Sequence, residues 1–255
     1  MKPLKEQAIE WVKNYFIQNG NSDTKALIGI SGGKDSSTVA ALCCQALGKE
    51  RVVGVMMPNG EQKDINDSIR LCGYLGIKNY TVNINSAYEG LTSEIKKQLG
   101  ILQTTPQHNT NTPARLRMAT LYSVGANIGN CRISCNGNLS ERLSGYFTIW
   151  GDGAGDFAPL AYLFKEEVVQ LGLDLGLPED LCIKPPSDGM SGKTDEESLG
   201  FTYDELRKVI LNDTKSMDKQ KVTNILQKIN SMAFKRRLLN IPSFVPSDKN
   251  IKKYK

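Results

Sequence analysis

Apolar and amphipathic stretches alternate along the first half of the chain. Four short stretches carry mainly apolar or β-branched side chains between polar or glycine residues and predict strands at 25–30, 51–57, 79–84 and 131–135. The segments between them place apolar residues at helical spacing and predict helices at 36–47, 64–75, 86–99 and 113–128. This alternation predicts an α/β fold, with a doubly wound, mostly parallel sheet and helices on both faces.

Further helices are predicted before and after this alternation. The first 16 residues are amphipathic, residues 165–175 form another helix, and residues 202–239 form two or three helices that close the fold. Two polar stretches without periodicity, 100–112 and 185–198, are expected to be loops that are either functional or disordered. Pro113 is expected in the first turn of its helix, where its missing N–H is not needed. Because no repeat or linker is visible in the sequence, we expect one domain over residues 1–255.

The composition is that of an ordinary globular protein, with 40% hydrophobic and 23% charged residues among 255. No apolar run approaches the roughly 20 residues that a membrane helix needs. Acidic residues interrupt the N-terminal helix, where a signal peptide would be apolar, so a cytoplasmic protein without a membrane partner is expected. The net charge of +5 is scattered until the C-terminal tail, which favours a small polyanion over nucleic acid as the ligand.

Cysteine and histidine give little support for a zinc site. The six cysteines contain no C-x-x-C pair, and His108 is the only histidine. Reduced, buried thiols are the expected state in the cytoplasm. His108 lies in the polar stretch 103–112, so we expect a loop histidine rather than a catalytic one.

The strongest motif is SGGKDSS at residues 31–37, between a predicted strand and a predicted helix. Glycines permit a tight turn in which successive N–H groups point at one oxyanion, and a helix beginning near Ser36 adds its N-terminal dipole. The hydroxyls of Ser31, Ser36 and Ser37 supply further donors. The spacing fits neither a Walker A loop nor the dinucleotide-binding G-x-G-x-x-G pattern, so the sequence predicts a phosphate loop of another kind.

Asp35 lies inside this loop, where its charge would repel phosphate unless a cation lay between them. A magnesium ion beneath a triphosphate would explain an acid at this position. The loop and its preceding strand resemble the signature of the N-type ATP pyrophosphatases, which cleave ATP between its α and β phosphates. This resemblance implies ATP as a co-substrate and Mg²⁺ as a cofactor.

A second polar group follows the fourth predicted strand. Glu141 is expected at the carboxyl edge of the sheet, where it could share magnesium with Asp35; a helix-capping role is the alternative. Asp152 and Asp156 lie in a glycine-rich stretch that could approach a ligand closely or form a simple turn. Lys165 opens a helix at the end that disfavours a cation, which indicates an anionic partner unless the helix start is merely solvated.

Segments in order along most of the chain resemble the NAD synthetase family. Besides residues 31–37 and 138–165, they are an arginine-bearing helix at 111–118, lid-like segments at 184–187, 195–196 and 199–200, and a basic motif at 234–236. The resemblance implies amidation of deamido-NAD with ammonia, in which ATP is converted to AMP and pyrophosphate through an adenylated intermediate. Since no glutaminase region precedes Met1, free ammonia is the expected nitrogen donor. A homodimer whose interface helps build the dinucleotide site is also implied.

The resemblance assigns roles by position. It implies magnesium ligands at Asp35 and Glu141. The catalytic group would be Asp35, Lys165, Asp152 and Asp156. The positions that meet deamido-NAD would be Arg115, Ile149, Asp156, Phe234 and Lys235. The implied ATP contacts are Gly29, Ile30, Ser31, Gly32, Gly33, Lys34, Asp35, Ser36, Ser37, Asn136, Lys165 and Ser187.

Three positions depart from the family's pattern. Asn136 stands where a threonine usually contacts ATP, although its amide can still form hydrogen bonds. Ile149 replaces a lysine and Phe234 replaces a histidine, both at positions that contact the dinucleotide. Two alternatives therefore stay open: an ATP pyrophosphatase that adenylates another acceptor, such as a tRNA base, and a catalytically silent nucleotide-binding protein.

Overall fold

The sheet has four parallel strands. A computed structural model describes residues 2–62, 65–183, 195–238 and 241–247. Its strands are β1 (Lys25–Gly29), β2 (Val52–Met56), β3 (Lys78–Thr81) and β4 (Cys131–Ile133), in the order β3-β2-β1-β4. Every neighbouring pair is parallel, which confirms the predicted fold class. The carboxyl ends of β1 and β4 therefore lie side by side, where parallel sheets of this type bind ligands.

The described helices precede, follow and connect these strands. In chain order they are α1 (Leu4–Gln18), α2 (Lys34–Leu47), α3 (Ile65–Leu75), α4 (Asn85–Leu99), α5 (Pro106–Ile128), α6 (Leu139–Ser144), α7 (Lys165–Asp174), α8 (Glu179–Ile183), α9 (Asp195–Leu199), α10 (Tyr203–Ile210), α11 (Lys219–Ser231) and α12 (Ala233–Arg237). Within the described ranges, no helix combines the length and the apolar character needed to cross a membrane.

Separate hydrophobic clusters cover the two faces of the sheet. One face buries side chains of α1, α2 and α7, among them Phe16, Leu42 and Leu171. On the other face, Leu27 of β1 packs with Leu121 of α5. Helices thus cover both faces, as the nearly continuous apolar character of β1 and β2 predicts. A third cluster joins α6, α10 and α11 beside the end of the sheet.

The helix α5 begins seven residues earlier than predicted, so the expected loop over 100–112 is wrong for its second half. Thr105 caps the helix by accepting a hydrogen bond from the His108 N–H at 3.2 Å, and Pro106 occupies the first turn. Pro113 is consequently inside the helix, and buried, rather than in its first turn. A Thr-Pro pair is a strong start signal, and here it outweighs the low helix propensity of the Thr- and Asn-rich segment that follows.

His108 is therefore a helical residue and not the expected loop histidine. Its Nε2 atom lies 3.0 Å from Thr92 Oγ1 on α4, and its ring centroid lies 5.9 Å from that of Tyr88. The Thr112 hydroxyl on the next turn approaches its other ring nitrogen at 3.4 Å. These contacts join α4 to α5.

Candidate active site

The phosphate-loop motif lies between the end of β1 and the start of α2. Gly32 has a φ of 77°, and a Cβ built on it would lie 3.1 Å from Ser68 Oγ, so both backbone shape and space favour glycine. The Ser31 and Ser36 hydroxyl oxygens lie 3.1 Å apart. Ser37 donates through its hydroxyl to the Gly33 carbonyl at 2.9 Å. The loop is therefore folded over the N-terminus of α2, where unpaired N–H groups favour an anion.

The helix α2 begins at Lys34, two residues before the predicted start. Asp35 therefore lies in its first turn, where a carboxylate interacts favourably with the helix dipole. Ile30 is buried, so its side chain belongs to the core and only its backbone borders the loop. Lys34 is also buried and lies with its Nζ 2.6 Å from Asp35 Oδ2.

Asn138 connects the phosphate loop to the second polar group. Its side-chain amide donates to Asp35 Oδ1 at 3.0 Å, while its Oδ1 atom accepts from the Glu141 N–H at 3.0 Å. Glu141 Oε2 in turn accepts from the Asn138 N–H at 3.2 Å, which completes a capping box at the start of α6. The structure thus brings Asp35 and Glu141 to the same place through one shared asparagine.

Glu141 caps α6 and lies close enough to Asp35 for their charges to interact. The capping box confirms the helix-capping alternative. Burial and the nearby Asp35 carboxylate together raise the pKa of Glu141 well above its ordinary value, while Lys34 acts in the opposite direction. Two carboxylates that disfavour simultaneous ionisation form a site that a bound cation would stabilise.

Asn136 lies across the ends of β1 and β4. Its amide nitrogen donates to the Gly29 carbonyl at 3.0 Å, and its amide oxygen accepts from the Ser134 hydroxyl at 2.7 Å. These bonds fix the amide at the carboxyl edge of the sheet, beside the phosphate loop. The position predicted to contact ATP is therefore part of the same edge as Gly29.

The two aspartates of the glycine-rich stretch differ in their surroundings. Both carboxylate oxygens of Asp156 accept hydrogen bonds at 2.8 Å, one from the Tyr122 hydroxyl and one from the Ile133 N–H. Asp152 Oδ1 accepts from the Thr148 N–H at 2.9 Å, and the side chain stays accessible to solvent. Surrounding protein nevertheless limits its hydration and raises the pKa of Asp152. Asp156 therefore joins α5 to β4 through both of its carboxylate oxygens, whereas Asp152 remains accessible to solvent.

Lys165 is the first residue of α7, as the sequence predicts. Its backbone N–H donates to Ser140 Oγ at 3.3 Å, which joins the start of α7 to the start of α6. Its ammonium group lies 4.6 Å from the ring centroid of Tyr203. The backbone of Lys165 therefore lies against α6, which also carries Glu141.

Apart from Asp156, the residues expected to meet the acceptor are Arg115, Ile149, Phe234 and Lys235. Arg115 donates through Nε to the Ile149 carbonyl at 3.1 Å. Lys235 Nζ donates to the Gly145 and Phe147 carbonyls, each at 2.7 Å, and the loss of hydration lowers the pKa of this lysine. Phe234 beside it is 48% exposed. Arg115 and Lys235 thus both bind backbone carbonyls of the segment 145–149, which ends at Ile149.

An open cavity of about 470 Å³ lies beside Gly155 and was not predicted from the sequence. Its walls include Met118 and Tyr122 of α5, Trp150, and Leu238. Trp150 has a φ of 63°, a conformation unusual for a bulky residue, and is 59% exposed. The wall comes from segments far apart in the chain, so no local sequence signal marks it.

Part of the implied ATP site cannot be placed. Ser187 and the lid-like segment 184–187 lie outside the described residues. The roles assigned to the placed residues remain predictions. Their arrangement combines an anion-binding loop, a lysine and a pair of carboxylates suited to a divalent cation. Together, these features suit the transfer of a nucleotidyl group.

Known proteins resemble this chain over most of its length. A family model described as NAD synthase matches residues 4–239. The NH(3)-dependent NAD(+) synthetase of Pyrococcus furiosus is 39% identical over 219 residues, which are 83% of this chain and 80% of that protein. The solved NMN synthetase from Francisella tularensis is 30% identical, with a TM-score of 0.80, and the match covers 96% of this chain and 97% of the other. The solved NH3-dependent NAD synthetase from Campylobacter jejuni subsp. jejuni is 28% identical, with a TM-score of 0.74. That match covers 95% of this chain and 97% of the other.

Proposed function

The chain belongs to the NAD synthase family, and we propose that it converts the carboxylate of deamido-NAD to the carboxamide of NAD, with ammonia and ATP as co-substrates. It is a carbon–nitrogen ligase, and the products beside NAD are AMP and pyrophosphate. The observation that carries the proposal is the junction of the phosphate loop with two carboxylates, made by the Asn138 amide to Asp35 at 3.0 Å and the Asn138–Glu141 capping box.

Amide formation requires activation, because the oxygen of a free carboxylate is a poor leaving group. In the proposed first step, a carboxylate oxygen of the nicotinate bonds to the α-phosphorus of ATP as the bond to pyrophosphate breaks. The N–H groups of residues 31–33 and Lys165 stabilise the negative charge on the departing pyrophosphate. In the second step, ammonia attacks the acyl carbon, loses a proton, and AMP leaves with the oxygen that came from the carboxylate.

The pair Asp35 and Glu141 fits a magnesium ion. Burial and the nearby Asp35 carboxylate raise the pKa of Glu141, so its ionised form is disfavoured until a cation binds beside it. The proposed site has only two carboxylates, since among the described residues no metal-binding group of three or more His, Cys, Asp or Glu side chains occurs. A site with two protein carboxylates suits Mg²⁺, which usually takes its other ligands from phosphate and water. When bound there, Mg²⁺ would offset the charge of the ATP phosphates.

We assign the ammonia step to Asp152 rather than to Asp156. Asp156 already accepts two hydrogen bonds, and its oxygens join α5 to β4. Asp152 is accessible and has a raised pKa, which suits a group that accepts a proton from the attacking nitrogen and returns it to water. Asp152 lies two residues from both Trp150 and Ala154, which line the cavity, and we propose that it reaches an acceptor bound there.

A mononucleotide acceptor is the second candidate. The structural neighbour from Francisella tularensis is an NMN synthetase, and its TM-score of 0.80 exceeds the 0.74 of the NAD synthetase from Campylobacter jejuni. Ile149 and Phe234 offer no polar side-chain contact for a second nucleotide. The dinucleotide stays first because several NH(3)-dependent NAD(+) synthetases, such as that of Pyrococcus furiosus, resemble the chain at higher identity.

We further propose one domain over residues 1–255, a cytoplasmic location and a homodimer. Support for the single domain comes from the core of α1, α2 and α7, which also includes Phe244 near the end of the described chain. Support for the dimer comes from exposed apolar side chains beside the cavity, namely Tyr122, Trp150 and Leu238. Light scattering on the purified protein at several concentrations tests the dimer, and a monomeric mass throughout would contradict it.

A product assay tests the proposed function. Purified protein is incubated with Mg-ATP, ammonium and either deamido-NAD or its mononucleotide analogue, and amide product, AMP and pyrophosphate are quantified together. Equal amounts of the three with deamido-NAD are expected, and Asp35→Asn serves as the inactive control. Faster turnover with the mononucleotide would favour the second candidate, and ADP in place of AMP would contradict the scheme.

A further inference from the structure

The ammonium group of Lys165 has an aromatic neighbour that the proposed mechanism does not use. It lies 4.6 Å from the centroid of the Tyr203 ring, the shortest cation–ring distance among the described residues. The face of an aromatic ring carries negative electrostatic potential and attracts a cation within about 6 Å. The contact therefore gives a favourable environment to a lysine that begins a helix, where the dipole disfavours positive charge.

Tyr203 is rigidly held, so its ring provides a fixed platform. The side chain is 2% exposed and belongs to the cluster formed by α6, α10 and α11. Its backbone N–H donates to Glu196 Oε1 at 3.0 Å, and Thr202 caps the helix that it begins. The ring cannot follow the lysine, whereas the four-carbon stem of Lys165 can adopt many rotamers. The contact thus restricts the lysine more than it restricts the tyrosine.

We propose that Tyr203 is a positioning residue for Lys165, which its ring holds in place for the phosphates of ATP. The inference rests on the proposed function, in which Lys165 stabilises pyrophosphate. An ammonium group has three N–H bonds, so one side can face the ring while the others donate to phosphate oxygens. The ring contact is therefore compatible with phosphate binding, and it reduces the rotamer entropy that Lys165 loses when ATP arrives.

A double-mutant cycle separates this role from ordinary core packing. Tyr203→Phe keeps the ring face, whereas Tyr203→Leu keeps apolar bulk and removes the ring; each is made with Lys165 and with Lys165→Ala. The KM for ATP, the KM for the acceptor and kcat are measured for all six proteins, together with ATP affinity by calorimetry and the melting temperature. Phe201→Leu is the matched control, since Phe201 lies in the same cluster at 7% exposure.

The expected result is specific to ATP. Y203L raises the KM and Kd for ATP about 3- to 30-fold, leaves the acceptor KM within about twofold, and has no further effect in the K165A background. Y203F keeps the wild-type KM and Kd for ATP, because it keeps the ring face. F201L lowers the melting temperature without changing ATP affinity. If Y203L does not fold, Tyr203→Met replaces it, because methionine fills irregular space.

Independent effects of Y203L and K165A, which multiply in the double variant, would overturn the inference, as would a Y203L variant that loses only thermal stability. Failure of the proposed function has a different signature, because the wild-type protein would then bind ATP without forming the amide. The cycle on ATP affinity still decides the role of Tyr203 in that case. A wild-type protein that binds no ATP would contradict both proposals.

Discussion

At the scale of single residues, hydrogen bonding and accessibility distinguish four carboxylates from one another. Asp35, Glu141, Asp152 and Asp156 lie along the same edge of the sheet, yet their hydrogen bonds differ. Both carboxylate oxygens of Asp156 accept hydrogen bonds, whereas Asp152 is accessible to solvent. Glu141 caps a helix, and its ionised form is disfavoured. The sequence marks all four as candidates, but only these contacts separate their chemical roles.

Glu141 makes the metal-free protein sensitive to pH. Its pKa is raised above the ordinary value of 4.5, so the folded protein binds its proton more tightly than the unfolded chain does. Stability should then fall as pH rises above about 4.5 and level off above the folded pKa. Glu141→Gln keeps the capping bond without ionising, and in EDTA at pH 8 we expect it to exceed wild-type stability by at least about 1 kcal/mol.

Thermal or urea unfolding from pH 4 to pH 9 measures this difference. The two proteins should converge at the acidic end, where Glu141 is protonated in both states. Added Mg²⁺ at pH 8 should stabilise the wild type more than the Gln variant. Parallel stability curves across the whole pH range would show that the pKa of Glu141 is not raised in the folded protein.

Asp152 and Asp156 should respond differently to the same change. For Asp152→Asn we expect NAD formation to fall about 10²- to 10⁴-fold because a proton acceptor is lost, while ATP–pyrophosphate exchange with deamido-NAD persists. For Asp156→Asn we expect stability to fall by about 1 kcal/mol, because a neutral amide replaces the charged acceptor of the Ile133 N–H and the Tyr122 hydroxyl. Equal loss of exchange in both variants would contradict the separation of roles.

At the scale of elements, α5 shows how a local signal can be hidden by composition. Residues 100–112 are rich in Thr, Asn and Gln and lack periodicity, so a loop is the natural expectation. Thr105 and Pro106 nevertheless start the helix, which carries Arg115, Met118 and Tyr122 to the site. The extra turns also bring His108 against α4.

The Thr105 cap can be tested by substitution. Thr105→Ala removes the acceptor for the His108 N–H, and we expect it to lower stability by about 1 kcal/mol. Thr110→Ala is the matched control on the same helix, since that hydroxyl donates only to the Pro106 carbonyl on the preceding turn. Urea unfolding of both variants gives the comparison, and equal stabilities would show that the helix does not depend on this cap.

At the scale of the whole molecule, the parallel sheet and the strand–loop–helix order at residues 31–37 were predictable, because periodicity and glycine spacing are local. Strand ends were not: β4 was expected to reach Cys135 but ends at Ile133, after which Ser134 forms a bridge with Phe157 of a distant segment. The cavity and the contact of Lys165 with Tyr203 could not be predicted either. Each depends on segments brought together by packing, to which sequence spacing gives no guide.

The central claim is that the acceptor carboxylate is activated by adenylation in this site. It is tested most directly by supplying deamido-NAD with ¹⁸O in its nicotinate carboxylate and analysing the phosphate products by mass spectrometry. The account predicts one ¹⁸O in AMP and none in pyrophosphate, because the carboxylate oxygen leaves with the α-phosphorus. Label in inorganic phosphate, with ADP as the nucleotide product, would contradict it.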